Sequence, residues 1–251
     1  MSNASSVGTL YGIGIGPGDP DLITVKGAKL LAACSHVFAP RSRATEDSLA
    51  RRIAAKHIGA SARVHEIVFP MTSDREDLDL HWRAAAETVA DVLRRGEDAC
   101  FLTLGDPLLY STYIYLVRAL RDVLPKARVV TVPGIMALGA AAAACGFPLG
   151  EGKSPLTVVP AGDDPAAVRR ALEGGGTVVI MKIGRRLRTI AKLLDELGLL
   201  DRSVLASRVG LDEQRIETDL RRFLSEDSDA GYLAIILVNA NRDAPKGSPK
   251  E

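Results

Sequence analysis

The residues with the clearest chemical implication are the alternate glycines near the start of the chain, in Tyr11–Asp19 (YGIGIGPGD). A dinucleotide-binding G-x-G-x-x-G motif starting at Gly12 would need glycine or alanine where Pro17 stands, and one starting at Gly14 would need it at Asp19. A carboxylate at that place would repel a pyrophosphate. The segment therefore predicts a glycine-rich turn that is not a phosphate cradle. It either admits a flat ligand close to its backbone or is only a tight turn between a strand and a helix.

A second turn, Gly105–Pro107 (GDP), follows the apolar run ACFLTL. Ligands of open α/β sheets lie beyond the carboxyl ends of the strands, so this turn is placed to bind one. Its glycine allows close backbone approach, and its aspartate can accept hydrogen bonds from an ammonium or a hydroxyl group. Tyr110 and Ser111 precede the next predicted helix and are ligand candidates, whereas Tyr113 and Tyr115 would equally pack that helix against a core.

A third turn, Val132–Ile135 (VPGI), also follows a predicted strand and precedes an alanine-rich helix that permits close packing. The sequence lacks the P-loop pattern G-x-x-x-x-G-K-[ST]. Its cysteines and histidines show neither C-x-x-C nor H-E-x-x-H spacing: Cys34, Cys100, Cys145, His36, His57, His65 and His81. We therefore expect no disulfide framework and no metal site, and free thiols fit a reducing cytoplasm.

The overall composition is that of an ordinary globular protein, with 251 residues of which 47% are hydrophobic and 25% charged. The formal net charge of +1 gives no overall field that would select nucleic acid or an anionic membrane, so an anionic ligand must be held by local arginines or lysines. No apolar run reaches the roughly 18 residues of a membrane span. Met1–Ser6 lacks the basic and apolar regions of a signal peptide. These features predict a soluble cytoplasmic protein.

Short apolar runs alternate with amphipathic stretches along most of the chain, which predicts an α/β fold with mixed, mostly parallel sheets. The predicted strands are 9–15, 36–39, 99–104, 129–132, 156–160, 177–183, 204–209 and 232–238. The predicted helices are 21–33, 78–93, 112–124, 137–145, 166–172 and 186–197. Near the end, the short segments Gln214–Thr218 and Tyr232–Val238 are predicted to be antiparallel.

A domain boundary is predicted at the start of Phe147–Pro155 (FPLGEGKSP), which is rich in glycine and proline and carries no periodicity. The N-terminal α/β domain, 7–146, would carry all three turns, and the C-terminal α/β domain would be 147–240. Residues 1–6 and 241–251 are small or polar and are predicted to be flexible tails.

The three turns in this order and spacing, YGIGIGPGDPDLIT, TLGDPLLYST and VPGIMA, resemble the motifs of the tetrapyrrole (corrin/porphyrin) methyltransferase family. The resemblance covers about Gly8 to Asn239, and GDPLLYSTYIYL and VVIMKIGR are most similar to the branch that methylates precorrin-2 at C20 in cobalamin biosynthesis. The resemblance implies two α/β domains with a cleft between them, a homodimer, S-adenosylmethionine as methyl donor and a tetrapyrrole substrate. Whether that substrate already carries cobalt stays open.

The resemblance also implies which positions contact the cofactor: Pro17, Leu104, Gly105, Asp106, Leu109, Met136, Ala137, Lys182 and Gly210. Many relatives have methionine at the position of Lys182. An ammonium there would repel the sulfonium of the cofactor unless it points away or binds the cofactor's carboxylate. Gly14 and Gly16 are expected to let a flat substrate approach the backbone.

The implied reaction needs an electron-rich ring carbon to attack the methyl group and then lose a proton, and a positioned weak base would speed this roughly 10²–10⁴-fold. Asp19 is the first candidate for that base and Tyr110 the second, although Asp19 could equally cap a helix that begins near Asp21. Arg41 and Arg43 follow the second predicted strand. They either bind substrate carboxylates or form a solvated basic loop. Ser111 is a further expected substrate contact.

Three other interpretations stay open at the level of the sequence. The nearest is another precorrin or uroporphyrinogen methyltransferase of the same family, which differs in the ring carbon that is modified. The second is a nicotinamide-dependent oxidoreductase, which the broken glycine motif disfavours. The third is a non-catalytic binding module, which is disfavoured because three separate turns all follow the ends of predicted strands.

Overall fold

The computed structural model describes residues 7–41, 47–69, 74–225 and 229–241. Arg43 and the predicted tails, apart from Asn241, lie outside the described residues. The chain divides into two compact units, Met1–Met136 and Ala137–Glu251. This division comes before the predicted boundary at 146/147. The alanine-rich helix therefore falls in the second unit, where it contacts two strands of the second sheet.

Within the described part of the first unit, five strands form an entirely parallel sheet in the order β3-β2-β4-β1-β5. The strands are β1 (Thr9–Gly14), β2 (His36–Arg41), β3 (Arg63–Val68), β4 (Ala99–Thr103) and β5 (Arg128–Val132). The helices are α1 (Val25–Ala33), α2 (Leu49–Ala54), α3 (Arg75–Arg94) and α4 (Tyr113–Val123). Helices cover both faces of such a sheet, and β4 is accordingly apolar without alternation and buried over its whole length.

The core of the first unit lies between this sheet and the helices α3 and α4. The rings of Phe38, Phe101 and Tyr113 belong to one buried apolar cluster that these helices help to form. Asp74 fixes the start of α3, since its carboxylate accepts a hydrogen bond from the backbone N–H of Glu76 at 3.0 Å. The two helices thus hold the central strands in place and, with them, the loops that leave those strands.

The second unit contains a mixed sheet in the order β6-β7-β10-β8-β9. Its strands are β6 (Leu156–Pro160), β7 (Thr177–Met181), β8 (Ser203–Ser207), β9 (Arg215–Glu217) and β10 (Ala234–Asn239). Its helices are α5 (Ala137–Cys145), α6 (Ala166–Glu173) and α7 (Leu187–Glu196). The strands β6 and β7 are parallel, whereas β10 runs antiparallel to both β7 and β8, and β9 runs antiparallel to β8.

The predicted α/β fold is confirmed, and three local expectations are corrected. The predicted segments at 214–218 and 232–238 do form strands, but β8 lies between them and is antiparallel to each, so they are not antiparallel to one another. The elements α2 and β3 are not among those predicted, because α2 is short and β3 (RVHEIV) is neither a continuous apolar run nor a regular alternation of polar and apolar residues. The helix α1 begins at Val25 rather than near Asp21, since the Thr24 hydroxyl caps it by accepting from the N–H of Gly27 at 3.1 Å.

Candidate active site at the ends of the first parallel sheet

The carboxyl ends of β4, β1 and β5 lie side by side, because these strands are parallel neighbours in the first sheet. Gly14 at the end of β1 stands opposite Thr103 at the end of β4, and Ile13 stands opposite Val132 at the end of β5. The three turns singled out in the sequence therefore begin at one edge of one sheet.

The backbones of the three turns touch at Gly14, Gly105 and Gly134, a set that we call the glycine junction. A Cβ atom added to Gly14 would lie 2.5 Å from the backbone nitrogen of Gly134 and 2.8 Å from the carbonyl oxygen of Gly105. A Cβ atom added to Gly134 would lie 2.2 Å from that same carbonyl oxygen. There is no room for any side chain in the junction, so glycine at position 14 serves loop packing, whatever it contributes to ligand approach.

Hydrogen bonds join the turns as well. Gly16, with φ of +76°, and Gly105 form an isolated antiparallel bridge, in which the Gly105 N–H donates to the Gly16 carbonyl at 2.8 Å. The Asp106 carboxylate accepts from the N–H of Gly134 at 3.1 Å and from the N–H of Leu108 at 2.9 Å. Asp106 therefore has a structural role in the GDP turn, beside the cofactor contact predicted for it.

Asp19 caps the short 3-10 helix Pro20–Leu22, and its carboxylate accepts from the N–H of Asp21 at 2.8 Å. The capping role considered for Asp19 is therefore present, on a shorter helix than expected. The next carboxylate, Asp21, pairs with the Lys56 ammonium, which lowers the pKa of Asp21. Asp19 thus stands at the exit of the glycine-rich turn, partly exposed, with its orientation fixed by the backbone.

Tyr110 has an unusual backbone conformation for a residue that is not glycine. Its φ is +52°, and its side chain is 40% exposed. Such a conformation costs of order 1–3 kcal/mol and persists where the surroundings enforce it, often at functional sites. Ser111 beside it is buried, and its hydroxyl donates to the Pro107 carbonyl, which fixes the return of the GDP turn toward α4. Tyr110 is therefore the more accessible of the two predicted ligand candidates, since Ser111 is only 9% exposed.

Tyr113 and Tyr115 pack the helix α4, as one of the two interpretations of their spacing predicts. The Tyr113 ring lies directly over Gly12, where an added Cβ atom would come within 2.2 Å of the ring, and its hydroxyl is 2.9 Å from the Thr131 hydroxyl. Burial raises the pKa of Tyr113. Tyr115 stacks on Trp82 of α3, with ring centroids 4.3 Å apart. Gly12 is therefore glycine because a tyrosine ring occupies the space above it.

Arg41 is the last residue of β2, which lies next to β4 in the sheet. Its Nη1 donates to the Glu66 carboxylate at 3.0 Å, and its side chain is 25% exposed. Arg41 thus ends its strand at the same edge of the sheet as the glycine junction. Arg41 itself belongs to the strand and is paired, and the residue Arg43 of the same prediction lies outside the described residues.

Three predicted cofactor contacts lie in the second unit, and two of them, Lys182 and Gly210, follow the carboxyl ends of strands. Lys182 follows β7 and has a φ of +56°; protein atoms around its ammonium desolvate it and lower its pKa, although the residue keeps an exposed surface. Gly210 has a φ of +79°, and its N–H donates to the Gln214 amide oxygen at 2.9 Å. Met136, which ends the first unit, is 43% exposed, and Ala137 begins α5.

Comparison with known proteins decides the family. The profile of the family described as Tetrapyrrole (Corrin/Porphyrin) Methylases matches residues 9–223. The chain belongs to this family. Among its relatives, the cobalt-precorrin-2 C(20)-methyltransferase of Salmonella typhimurium is 32% identical over 92% of this chain and 96% of that protein. The precorrin-2 C(20)-methyltransferase of Sinorhizobium sp is also 32% identical, over 95% of this chain and 98% of that protein.

Solved structures of other methyltransferases share the fold. The chain superimposes on a cobalt precorrin-4 methyltransferase with a TM-score of 0.68 at 23% identity, covering 92% of this chain and 94% of that one. It superimposes on the uroporphyrin-III C-methyl transferase of Thermus thermophilus in complex with S-adenyl homocysteine with a TM-score of 0.64 at 21% identity, covering 92% of each chain. At these identities the similarity extends to the fold alone.

Other structural features of this methylase could not be predicted from the patterns in its sequence. The Thr103 hydroxyl, at the end of β4 immediately before the GDP turn, is buried and has no hydrogen-bond partner within the described residues. In the second unit, Arg208, which follows β8, and Leu233, which precedes β10, both have φ values of +50°. Backbone strain and an unpartnered hydroxyl leave no periodic signal, so only coordinates reveal them.

One hollow on the first unit of the methylase lies away from the glycine junction. An open depression of about 460 Å³ lies between the edge strand β3 and α3, and none of the predicted site residues lines it. A smaller pocket of about 210 Å³ lies in the second unit beside the starts of β7 and β8. In the described part of the chain, no three His, Cys, Asp or Glu side chains are grouped so as to hold a metal ion. No described helix is long and apolar enough to cross a membrane.

Proposed function

We propose that this methylase transfers a methyl group from S-adenosylmethionine to C20 of precorrin-2, or of its cobalt form, in cobalamin biosynthesis. The glycine junction carries the proposal. Three turns with the family's motifs meet there without side chains between them, at the edge of a parallel sheet where ligands of such folds bind. The relatives named for this reaction support the choice of substrate, since they match the chain over nearly its whole length.

The residues around the junction suit a cationic cofactor better than a phosphate. The segments 14–19, 104–111 and 133–137 contain two carboxylates, Asp19 and Asp106, and no lysine, arginine or histidine. Carboxylates and backbone carbonyls attract a sulfonium and repel a pyrophosphate, which argues against a nicotinamide cofactor. Leu108, Ile135 and Met136 present exposed apolar side chains nearby. The buried Thr103 hydroxyl has no hydrogen-bond partner among the described residues, and we propose it as a donor to a carboxylate or hydroxyl group of a ligand.

The contacts proposed for S-adenosylmethionine follow the family's pattern: Pro17, Leu104, Gly105, Asp106, Leu109, Met136, Ala137, Lys182 and Gly210. When bound, the cofactor supplies a methyl group already activated by sulfonium charge. The protein then has to position the substrate carbon and exclude water, and positioning alone is worth about 7–11 kcal/mol. The rigid, side-chain-free glycine junction supports such positioning, because it cannot relax around a misplaced ligand.

We propose that Asp19 accepts the proton that the methylated ring carbon loses, with Tyr110 as the second candidate. Asp19 can hold a proton on the carboxylate oxygen that does not cap the 3-10 helix. Tyr110 is exposed at the GDP turn and strained, which supports a role at the substrate. The further substrate contacts that we propose in the described residues are Gly16, Ser111 and Arg41. Gly14 contributes only its backbone, as part of the glycine junction.

The decisive experiment is anaerobic incubation of the purified protein with S-adenosylmethionine and precorrin-2, with mass spectrometry and NMR of the product. A gain of one methyl group at C20 is expected. Because the relatives named for the cobalt-bound and the metal-free substrate are equally similar, both forms should be offered. Methylation at another ring carbon would replace the proposal by another reaction of the family. Binding of a nicotinamide cofactor without methyl transfer would overturn it.

We further propose that the protein works in the cytoplasm as a homodimer. The cytoplasm is supported by its three free cysteines, of which Cys34 and Cys100 are buried. The dimer is supported by the family resemblance alone. Sedimentation equilibrium would test it, and a monomeric mass at micromolar concentration would contradict it. No nucleic acid or membrane partner is proposed, in keeping with the net charge of +1.

A further inference from the structure

Glu66 on the edge strand β3 joins two arginines. Its Oε2 accepts from Nη1 of Arg41 at 3.0 Å, and its Oε1 accepts from Nη1 of Arg51 at 3.1 Å. The Glu66 side chain is 17% exposed, whereas that of Arg51 on α2 is 54% exposed. One partly buried carboxylate therefore holds a guanidinium from β2 and another from α2 in a fixed arrangement.

The backbone that presents Arg41 is fixed as firmly as its side chain. The Ser48 hydroxyl donates to the Pro40 carbonyl at 2.7 Å, and the N–H of Phe69 donates to the Arg41 carbonyl at 2.9 Å. Ser48 is buried and also caps α2, so its one hydroxyl bonds both to the start of that helix and to the end of β2. An arginine held at both ends has lost its rotational freedom before any ligand arrives.

Arg41 still has donors to offer after Glu66 has taken one. A guanidinium carries five N–H groups in a planar fork. The Nε–H of Arg41 is buried and has no acceptor within the described part of the chain. With two arginines and one glutamate, the cluster has a formal charge of +2 − 1 = +1. Such a cluster favours an added carboxylate.

The position of the cluster connects it with the proposed active site. The register between β2 and β4 ends at Phe38 opposite Phe101, although β2 continues to Arg41 and β4 to Thr103. Neighbouring strands lie about 4.8 Å apart where they pair. The pairing of the two strands therefore ends before the edge, so that Arg41 and the start of the GDP turn lie at this edge without ladder hydrogen bonds between them.

We infer that Glu66 is a positioning residue, which holds Arg41 and Arg51 so that their remaining N–H groups bind one carboxylate group of the tetrapyrrole. The inference rests on the proposed function for the identity of the ligand. Glu66 itself does not touch the substrate in this arrangement. Its effect passes through Arg41 and Arg51, which distinguishes it from a residue that merely stabilises the edge of the sheet.

The test is the KM for precorrin-2 in the variants Arg41→Ala, Glu66→Ala and Glu66→Gln. Arg41→Ala is expected to raise this KM about tenfold or more, as loss of a charge-assisted hydrogen bond does. Glu66→Ala is expected to raise it by a similar factor, with kcat and the Kd for S-adenosylmethionine each within about twofold of wild type. Glu66→Gln should recover part of the loss, since its amide oxygen can still accept from one arginine.

A double variant separates positioning from a general effect on the fold. Glu66→Ala added to Arg41→Ala is expected to raise KM by a smaller factor than Glu66→Ala does alone, because only Arg51 then remains of the two arginines that Glu66 positions. A matched control is Glu217→Ala in the second unit, since Glu217 is also 17% exposed and pairs with Arg222. That control should leave the KM for precorrin-2 unchanged. Thermal melting of every variant establishes that it is folded.

Three outcomes would overturn the inference while leaving the proposed function intact. They are an unchanged KM in folded Glu66→Ala, a lowered KM there, and full additivity in the double variant. A lowered KM would mean that Glu66 only reduces the local positive charge. Failure of the wild-type protein to methylate precorrin-2 would instead reject the proposed function, and this measurement comes first.

Discussion

The carboxylate of Asp106 reaches the backbone N–H of Gly134 at 3.1 Å and so connects the loop after β4 with the loop after β5. These strands are not neighbours, because β1 lies between them in the sheet. The bond therefore passes over the end of β1, where Gly14 contributes only backbone to the glycine junction. One side chain thus joins two loops from distant parts of the sequence, and the backbones of both loops contact the third loop at Gly14.

Replacement of Asp106 should weaken the fold of the junction and the affinity for the cofactor together. In Asp106→Ala the N–H groups of Gly134 and Leu108 both lose their acceptor. One of these bonds is exposed and the other is partly buried, so the loss of each costs about 0.5–1.5 kcal/mol. We expect a lower free energy of unfolding and a larger Kd for S-adenosylmethionine, measured by urea denaturation and calorimetry. Asp106→Asn keeps one acceptor oxygen and should fall between alanine and wild type. Unchanged cofactor binding by folded Asp106→Ala would reject the role of this residue in the site.

A methyl group added at the junction should separate the loops. In Gly134→Ala the new Cβ atom would lie 2.2 Å from the Gly105 carbonyl oxygen, a backbone atom that cannot swing away. We expect a loss of cofactor binding of at least about tenfold and a destabilisation of roughly 1–3 kcal/mol, as overpacking produces. Calorimetry and thermal melting measure the two effects.

The matched control for that variant is Gly139→Ala. Gly139 lies in α5, and an added Cβ atom there would meet nothing within 4 Å. Alanine in a helix is favoured over glycine by about 1 kcal/mol, so this variant should be as stable as wild type or more so. Normal cofactor affinity in Gly134→Ala would show that the junction tolerates expansion and does not position the ligand.

The assignment of the base can be decided with two isosteric changes. Asp19→Asn keeps an oxygen that accepts from the N–H of Asp21, so the 3-10 helix should persist. If Asp19 takes the proton, kcat falls roughly 10²–10⁴-fold while the Kd for the cofactor stays constant. Tyr110→Phe removes only the hydroxyl from an exposed side chain. A large fall of kcat in Tyr110→Phe with a normal Asp19→Asn enzyme would reverse the two assignments.

Much of this arrangement could be predicted from local signals in the sequence. Apolar runs without alternation gave the parallel strands, and glycine-rich turns after them gave the loops that meet at the junction. The reason for two of the glycines could not be predicted. Gly12 lies beneath the Tyr113 ring, and Gly14 touches Gly134, and in both cases the residue that requires a glycine is distant in sequence.

The elements and residues that the sequence did not predict share a physical cause. The strand β3 lies at the edge of its sheet, where one side faces solvent and polar residues such as Glu66 interrupt the apolar pattern. Its pairing with β2 then brings Glu66 to Arg41, a contact that no local spacing specifies. The start of α1 was misplaced because Asp19 and Thr24 are both competent caps, and each caps a different short segment.

The pair His36 and His65 makes stability depend on pH in a definite direction. His36 Nδ1 lies 2.9 Å from His65 Nε2, and the His65 ring stacks on Phe38. The pKa of His65 is lowered from 6.5, first by burial and then by the positive charges that His36, Arg63 and Arg95 carry or can acquire. The folded state thus binds this proton at a lower pH than the unfolded chain does. As pH falls through 6.5, the unfolded state gains the proton first, and the free energy of unfolding decreases.

The His65→Gln variant should remove this part of the pH dependence. Glutamine offers both a donor and an acceptor to His36 but binds no proton in this range. We expect the wild-type protein to lose more stability than the variant between pH 7.5 and pH 5.5, measured by urea denaturation in the same buffers. At pH 7.5, where the histidine is neutral in both states, the comparison gives the cost of the substitution itself. Equal losses on acidification would show that His65 takes up its proton as readily in the folded as in the unfolded chain. The acid sensitivity of the first unit would then have to come from its carboxylates.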